Sequence, residues 1–274
     1  MVLRRRNYLI IFFLFFSLMC SAQEPVSAML EKHFSRLREN LPSARKLIIT
    51  DSVRQILEPY AVSDSVFRHR FNNLRFLGQI TSPDSLLKIL TWNLILNEGV
   101  NRYFCYLIYR PDNDAPPRAF YLTGEYKEQP PDEELVYDTK NWYGAIYYDV
   151  RPFICKGRKC YTLLAIDYGN SFITRKIIDV LKFDNEGNLL FGENCFTDGK
   201  KTTGRVVFEY SATAVMSLKF EADTLIVFDH LSPFSPELKN NRQYYGPDFS
   251  FDAYYLKNGL WTLKEDIDIR NRRK

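Results

Sequence analysis

Residues able to do chemistry are sparse in this chain of 274, and the densest group is Asp229-His230-Leu231-Ser232-Pro233. A carboxylate, an imidazole and a hydroxyl fall within one short segment, and those types together serve general acid–base or nucleophilic catalysis. The spacing weakens that reading. Neighbouring side chains on a strand point to opposite faces, so Asp229 cannot orient His230 directly. A histidine satisfied by its own loop is the ordinary account. His33 and His69 lie among Lys and Arg in an N-terminal stretch and read as solvated or partly packed.

Carboxylates offer a second route. Asp167, Asp179, Asp229, Asp248 and Asp252 all fall at or near predicted strand ends or in loops. A glycosidase needs two carboxyl groups at a set distance, which sequence does not supply. Asp229, His230 and Asp248 are therefore the candidates for a carboxylate-based hydrolase acting on a cell-surface glycan or peptide. Asp112-Asn113-Asp114 and Asp184-Asn185-Glu186-Gly187-Asn188 are oxygen-rich, but neither follows D-x-[DN]-x-[DN]-G with a distal Glu. Both read as turns, with no metal implied. The chain contains no G-x-G-x-x-G, G-x-x-x-x-G-K-[ST], G-x-S-x-G or H-E-x-x-H, and no cofactor is indicated. Trp142-Tyr143 and Tyr244-Tyr245, each followed by Gly, are the candidate binding residues, since exposed rings beside Asp or Asn stack on sugars or peptides. The plainer account is that these rings cover a sheet, with Gly relieving crowding where backbones approach.

The N-terminus reads as an export signal. Arg4, Arg5 and Arg6 precede the uncharged run Tyr8–Met19, then Cys20-Ser21-Ala22. This is the order of a secretory leader, and the run is too short to span a membrane. Cleavage after Ala22 is expected, leaving Gln23 first; acylation of Cys20 is the alternative, weakened by Met19 at a position that wants a small residue. The leader holds three Arg and no acid, so 34 basic and 33 acidic residues remain of the original 37 and 33. No long basic stripe exists; the tail Arg270–Lys274 reads as a solvated end, and nucleic acid is not a partner indicated here. No second long apolar run follows the leader, so no transmembrane segment is expected in the mature chain.

Four cysteines remain after Cys20: Cys105, Cys155, Cys160 and Cys195, an even number that suits an oxidising compartment. Cys155 and Cys160 bracket Lys-Gly-Arg-Lys, read as a four-residue hairpin loop that would let them face and bridge. Cys105 with Cys195 follows by elimination, although three pairings are possible. The spacing is wrong for C-x2-C and no His lies near, which argues against zinc.

The positioning elements read as helix first, strands after. Val26, Leu30, Phe34 and Leu37 give one apolar stripe, and Ile49, Val53, Ile56 and Leu57 a second ending before Pro59. From Arg75 the period changes to short apolar runs between turn clusters. The rings are abundant, with 18 Tyr, 21 Phe and 3 Trp making 15% of residues, which favours pleated, half-buried surfaces. Ile173–Phe183 fits a helix or a strand and leans to strand. Glu125–Lys140 is the most polar stretch and reads as a long surface loop. Asn97-Glu98-Gly99 reads as a turn, and Asn258-Gly259 as a type I′ turn closing the last hairpin. The expected fold is α+β, mainly antiparallel: about a dozen short strands in a sandwich, barrel or curled sheet, with a helical N-terminal segment. The boundaries are 1–22 leader, 23–70 helical segment and 71–274 β-rich domain.

Thr91-Trp92-Asn93, Trp142-Tyr143-Gly144-Ala145, Arg175–Leu181, Glu209-Tyr210-Ser211-Ala212, Val215-Met216-Ser217-Leu218, Asp229–Pro233 and Tyr244–Asp252 together resemble a family of uncharacterised exported proteins typical of Bacteroidota bacteria. The resemblance covers about Phe76 to the C-terminus. It implies a periplasmic, outer-envelope or extracellular location and brings no activity, cofactor or catalytic residue. The function expected is a secreted or cell-envelope, non-enzymatic domain that binds a partner protein or glycan.

Overall fold

The structure is a computed structural model that describes residues 23–96 and 99–268. The leader with Cys20, the Asn97-Glu98 part of a turn and the basic tail from Arg270 lie outside the described residues. The chain divides between Phe76 and Leu77 into two compact units.

The first unit carries α1 (Gln23–Leu37) and α2 (Ser43–Ala61). Leu30, Phe34 and Leu37 are buried on α1, and Ile49, Val53, Leu57 and Tyr60 on α2, the three- and four-residue spacing of an inward stripe. The helix does not stop before Pro59 as expected but runs on to Ala61. Proline is tolerated there because only the last turn depends on the missing N–H. Tyr60 ends the stripe by packing on Phe71, ring centroids 4.5 Å apart, and by donating its hydroxyl proton to the His69 carbonyl at 3.0 Å.

The second unit is antiparallel β throughout except for one parallel pair, and has more strands than the dozen expected: β1 (Gly78–Thr81), β2 (Leu87–Ile95), β3 (Asn101–Tyr109), β4 (Arg118–Glu125), β5 (Ile146–Cys155), β6 (Arg158–Asp167), β7 (Ile173–Phe183), β8 (Leu189–Phe191), β9 (Phe196–Thr197), β10 (Thr202–Thr203), β11 (Arg205–Ser211), β12 (Leu218–Ala222), β13 (Leu225–Pro233), β14 (Tyr245–Lys257) and β15 (Leu260–Lys264). They form three sheets. The first is β1-β2-β3-β4, the middle β11-β7-β6-β5 with β8 beside β7, and the third β10-β9-β15-β14-β13-β12, where β9 and β15 run parallel.

Alternation along the strands sets the layering. Tyr161, Leu163, Ala165, Ile177 and Leu181 of the middle sheet pack with Leu87, Ile89, Tyr103, Cys105 and Leu107 of the first. The intervening Leu164, Ile178 and Val180 pack with Phe196, Ile226, Phe228, Tyr254 and Trp261 of the third. The middle sheet is thus covered on both faces, and the inner stretches of β6 and β7 are buried residue after residue. That double burial also resolves Ile173–Phe183: its helix-like spacing arises because both faces of a strand are apolar. Among the described residues no helix is long and apolar enough to cross a membrane.

The cysteine pairings read from sequence are corrected. The β5–β6 hairpin closes on two residues, Lys156 and Gly157, at φ 49° and 76°. A two-residue turn sets Cys155 opposite Arg158 and Cys160 opposite Phe153, so the two cysteines do not face each other. Cys105 lies in the core between the first and middle sheets and Cys195 in the core between the middle and third, so the middle sheet separates them. All four thiols are free and buried.

Candidate functional site

A cleft of about 780 Å³ lies beside the edge strand β11, bordered by β13, β14 and residues 129–134, and His230 is among the residues that line it. Between Asp229 and Leu231 the β13–β14 register slips: Asp229 pairs with Phe251 but Leu231 with Pro247, so His230 faces a bulge at Asp248-Phe249-Ser250. The same strand alternation that turns Asp229 away brings His230 onto the face of Phe228, whose partner across the ladder is Asp252. His230 and Asp252 are therefore diagonal neighbours. His230 Nδ1 donates to Asp252 Oδ2 at 2.8 Å, and the other carboxylate oxygen accepts the Asp266 N–H at 3.0 Å. The hydrogen bond to Asp252 holds the imidazole above its ordinary value; burial opposes this, and the charges of Asp252, Asp248 and Glu265 add to it.

Of the three residues singled out for catalysis, the cleft brings two together. Asp229 borders it, but its Oδ2 accepts the Ser217 N–H at 2.7 Å. Asp248 lies outside the lining, exposed, and accepts the Ser250 N–H and hydroxyl at 3.1 and 2.7 Å. The carboxylate that pairs with His230 is Asp252, 22 residues along the chain. Phe249, at the crest of this bulge, holds φ 71° and is 94% exposed.

Three of the four aromatic candidates are corrected. Trp142 and Tyr143 are buried, on a segment that precedes β5 rather than within a strand. Trp142 Nε1 donates to the Tyr147 hydroxyl at 2.9 Å, and the Tyr143 hydroxyl to Asp179 Oδ2 at 2.8 Å. Gly144 belongs to the same tight approach: a Cβ on Gly124 of β4 would lie 2.5 Å from the Gly144 Cα, so the backbones touch and a side chain has no room. The covering role, not the stacking one, is what these rings perform. Tyr245 is also buried and donates its hydroxyl to the Lys239 carbonyl; Tyr244 alone of the four is exposed.

The polar stretch Glu125–Lys140 is a loop, but one tied down by two buried arginines. Arg175 of β7 donates to the carbonyls of Lys127 and Glu128 at 2.7 and 2.6 Å, to Glu209 at 2.8 Å and to Asp167 at 3.3 Å. Arg205 of β11 donates to the carbonyls of Asp132 and Leu135, and its Nε lies 3.2 Å from Asp179 Oδ2. Asp167 and Asp179, two of the carboxylates named above, are thus structural partners of arginine. Burial pushes both carboxyls up, opposed by these arginines and by the hydroxyls of Tyr103 and Tyr143. Glu133 completes the strap, accepting the Val207 N–H at 3.0 Å and pairing with Lys201 at 3.3 Å.

The cleft is acidic. Asp132, Glu133, Glu134, Glu209, Asp229 and Asp252 line it against Lys201, Arg242 and His230. No serine, threonine or cysteine is among its described lining residues. The oxygen-rich segments are turns: Asp112 Oδ1 accepts the N–H of Asp114 and Ala115, and Asp184 Oδ1 those of Glu186 and Asn188. Among the described residues no three His, Cys, Asp or Glu side chains are grouped to hold a metal ion. Comparison with protein families, with curated proteins and with solved structures finds no match to this chain.

Proposed function

We propose that this chain is an exported, non-enzymatic binding protein of the cell envelope, and that the cleft beside β11 takes a basic, extended peptide segment of a partner protein. The single observation that carries the reading is an open cleft of about 780 Å³ lined by six carboxylates and only two fully basic side chains. Such a surface favours a cationic ligand by electrostatic complementarity, and open clefts with a few fixed polar groups suit extended ligands. A glycan is the weaker occupant, because the Trp142-Tyr143 pair that would stack on a sugar is inside the core. Export rests on the leader in residues 1–22 and on the resemblance to exported proteins of Bacteroidota bacteria.

Calorimetric titration with a decapeptide carrying four lysines, with its lysine-to-alanine counterpart and with a hexamer of β-linked N-acetylglucosamine tests this. The lysine peptide should bind, and Asp229→Asn with Glu134→Gln should weaken it about 3- to 10-fold, with further loss in salt. Heat from the sugar and none from the peptide would return the reading to a glycan.

One observation favours a second reading. A histidine hydrogen-bonded to a buried carboxylate is an arrangement that can activate water, so a hydrolase using His230 and Asp252 is the alternative. Mass spectrometry of the same samples decides it. Cleaved peptide or sugar that disappears with His230→Ala would establish hydrolysis, and intact ligand in every sample supports binding alone.

A further inference from the structure

Three buried cysteines share the core between the middle and third sheets. Cys155 closes β5 and Cys195 immediately precedes β9, and the residues beside them, Lys156 and Glu193, are paired at 2.6 Å. Each is held by its backbone. Cys195 donates its N–H to the Thr203 carbonyl at 3.0 Å and accepts the Trp261 N–H at 2.8 Å. Cys155 ends a nine-pair ladder with β6, and the Asn258-Gly259 turn lies against it, close enough that a Cβ on Gly259 would come within 3.2 Å of its Cα. Cys160 sits in the same core two ladder positions away, opposite Phe153.

We propose that Cys155 and Cys195 are a disulfide-forming pair that staples the middle sheet to the third, with Cys105 and Cys160 remaining thiols. The connection differs from both pairings that spacing suggests, and it does not depend on what the cleft binds. Its chemistry balances with an oxidised thiol–disulfide oxidoreductase or glutathione disulfide as the oxidant. The Cys155 thiolate attacks the oxidant's disulfide, forming a mixed disulfide and releasing one thiol. Cys195, losing its proton to water, then attacks the Cys155 sulfur and expels the second thiol. Two electrons and two protons pass from the chain to the oxidant. Both sulfurs are shut from solvent in the folded chain, so the exchange belongs to the stage before the third sheet closes over them.

In the folded chain the three thiols differ: Cys195 and the nearby Lys156 and Lys182 bring the Cys155 thiol down to about 7 against burial and Glu193, whereas Cys195 is pushed up and burial lifts Cys160 to about 12.

Trypsin separates the four cysteines that follow the leader: Cys155 falls in Asn141–Lys156, Cys160 in Cys160–Arg175, Cys195 in Phe183–Lys200 and Cys105 in a peptide beginning at Tyr103. The full chain, folded in a glutathione redox buffer, alkylated and mapped without reduction, should yield Asn141–Lys156 joined to Phe183–Lys200, with alkyl label on Cys105 and Cys160. Label on all four, or a link involving Cys160, overturns the proposal. Reduction should lower Tm by roughly 8 to 12 °C, given a closed loop of about forty residues. That shift should vanish in Cys195→Ala and persist in Cys105→Ala and Cys160→Ala. If Cys195→Ala does not fold, the map of the unsubstituted chain still decides.

Discussion

His230 keeps 41% of its side chain in solvent while its partner Asp252 keeps 9%, so an exposed imidazole is tethered to a buried carboxylate. The tether raises the folded-state value above the ordinary 6.5. The sign follows. A group raised on folding contributes stability that is complete below about 6.5 and is lost as pH rises through the folded value. An NMR titration of the His230 ring should therefore show a midpoint above 6.5, and Asp252→Asn should bring it back toward 6.5 while leaving an oxygen for the Asp266 N–H. A midpoint unmoved by Asp252→Asn would sink this account of the pair. Solvent screening keeps the stability effect small. Both residues were visible in the sequence, His230 as a candidate and Asp252 among the strand-end carboxylates. Their pairing was not, because it depends on a register slip between β13 and β14 that no local pattern announces. Strand alternation does keep Asp229 and His230 on opposite faces.

At the level of elements, the strap across residues 126–135 depends on the pair Arg205–Asp179, both fully buried. Removing one partner strands a charge in the core and leaves the carbonyls of Asp132 and Leu135 without their donor. Arg205→Met should cost about 3–5 kcal/mol of stability in urea unfolding, whereas adding Asp179→Leu should restore most of it. A single substitution costing under about 1 kcal/mol, or a double no better than the single, would show that the pair does not hold the loop. Most strands were legible because alternation and turn residues are local, and the Asn258-Gly259 hairpin is the clearest case, with φ of 52° and 77°. The strap was legible only as a polar loop. What fixes it comes from charged residues inside apolar strands, and Arg175 and Asp179, four apart on β7 and on one face, were the available signal. The Cys155–Cys160 pairing fails for an equally local reason: the hairpin closes on two residues and not four, and that register sets each cysteine opposite another residue.

For the whole molecule, the division after Phe76 means that the sheets carry their own cores. A chain beginning at Leu77 should fold alone, giving a β-type circular dichroism spectrum and a single cooperative melting transition. A spectrum of disordered chain, or no transition, would show that the helical unit is required. The class, mainly antiparallel with helices at the N-terminus, was readable from composition and period, but three stacked sheets were not, because nothing local tells a strand with one buried face from a strand with two. The middle sheet has a consequence during synthesis. Its strands Tyr161–Ala165 and Ile177–Leu181 have no side made for water, so until the flanking layers arrive they are adhesive ribbons open to pairing with other copies. The third sheet is complete only with β15, so that face of the middle sheet stays open until Leu260–Lys264 has been made.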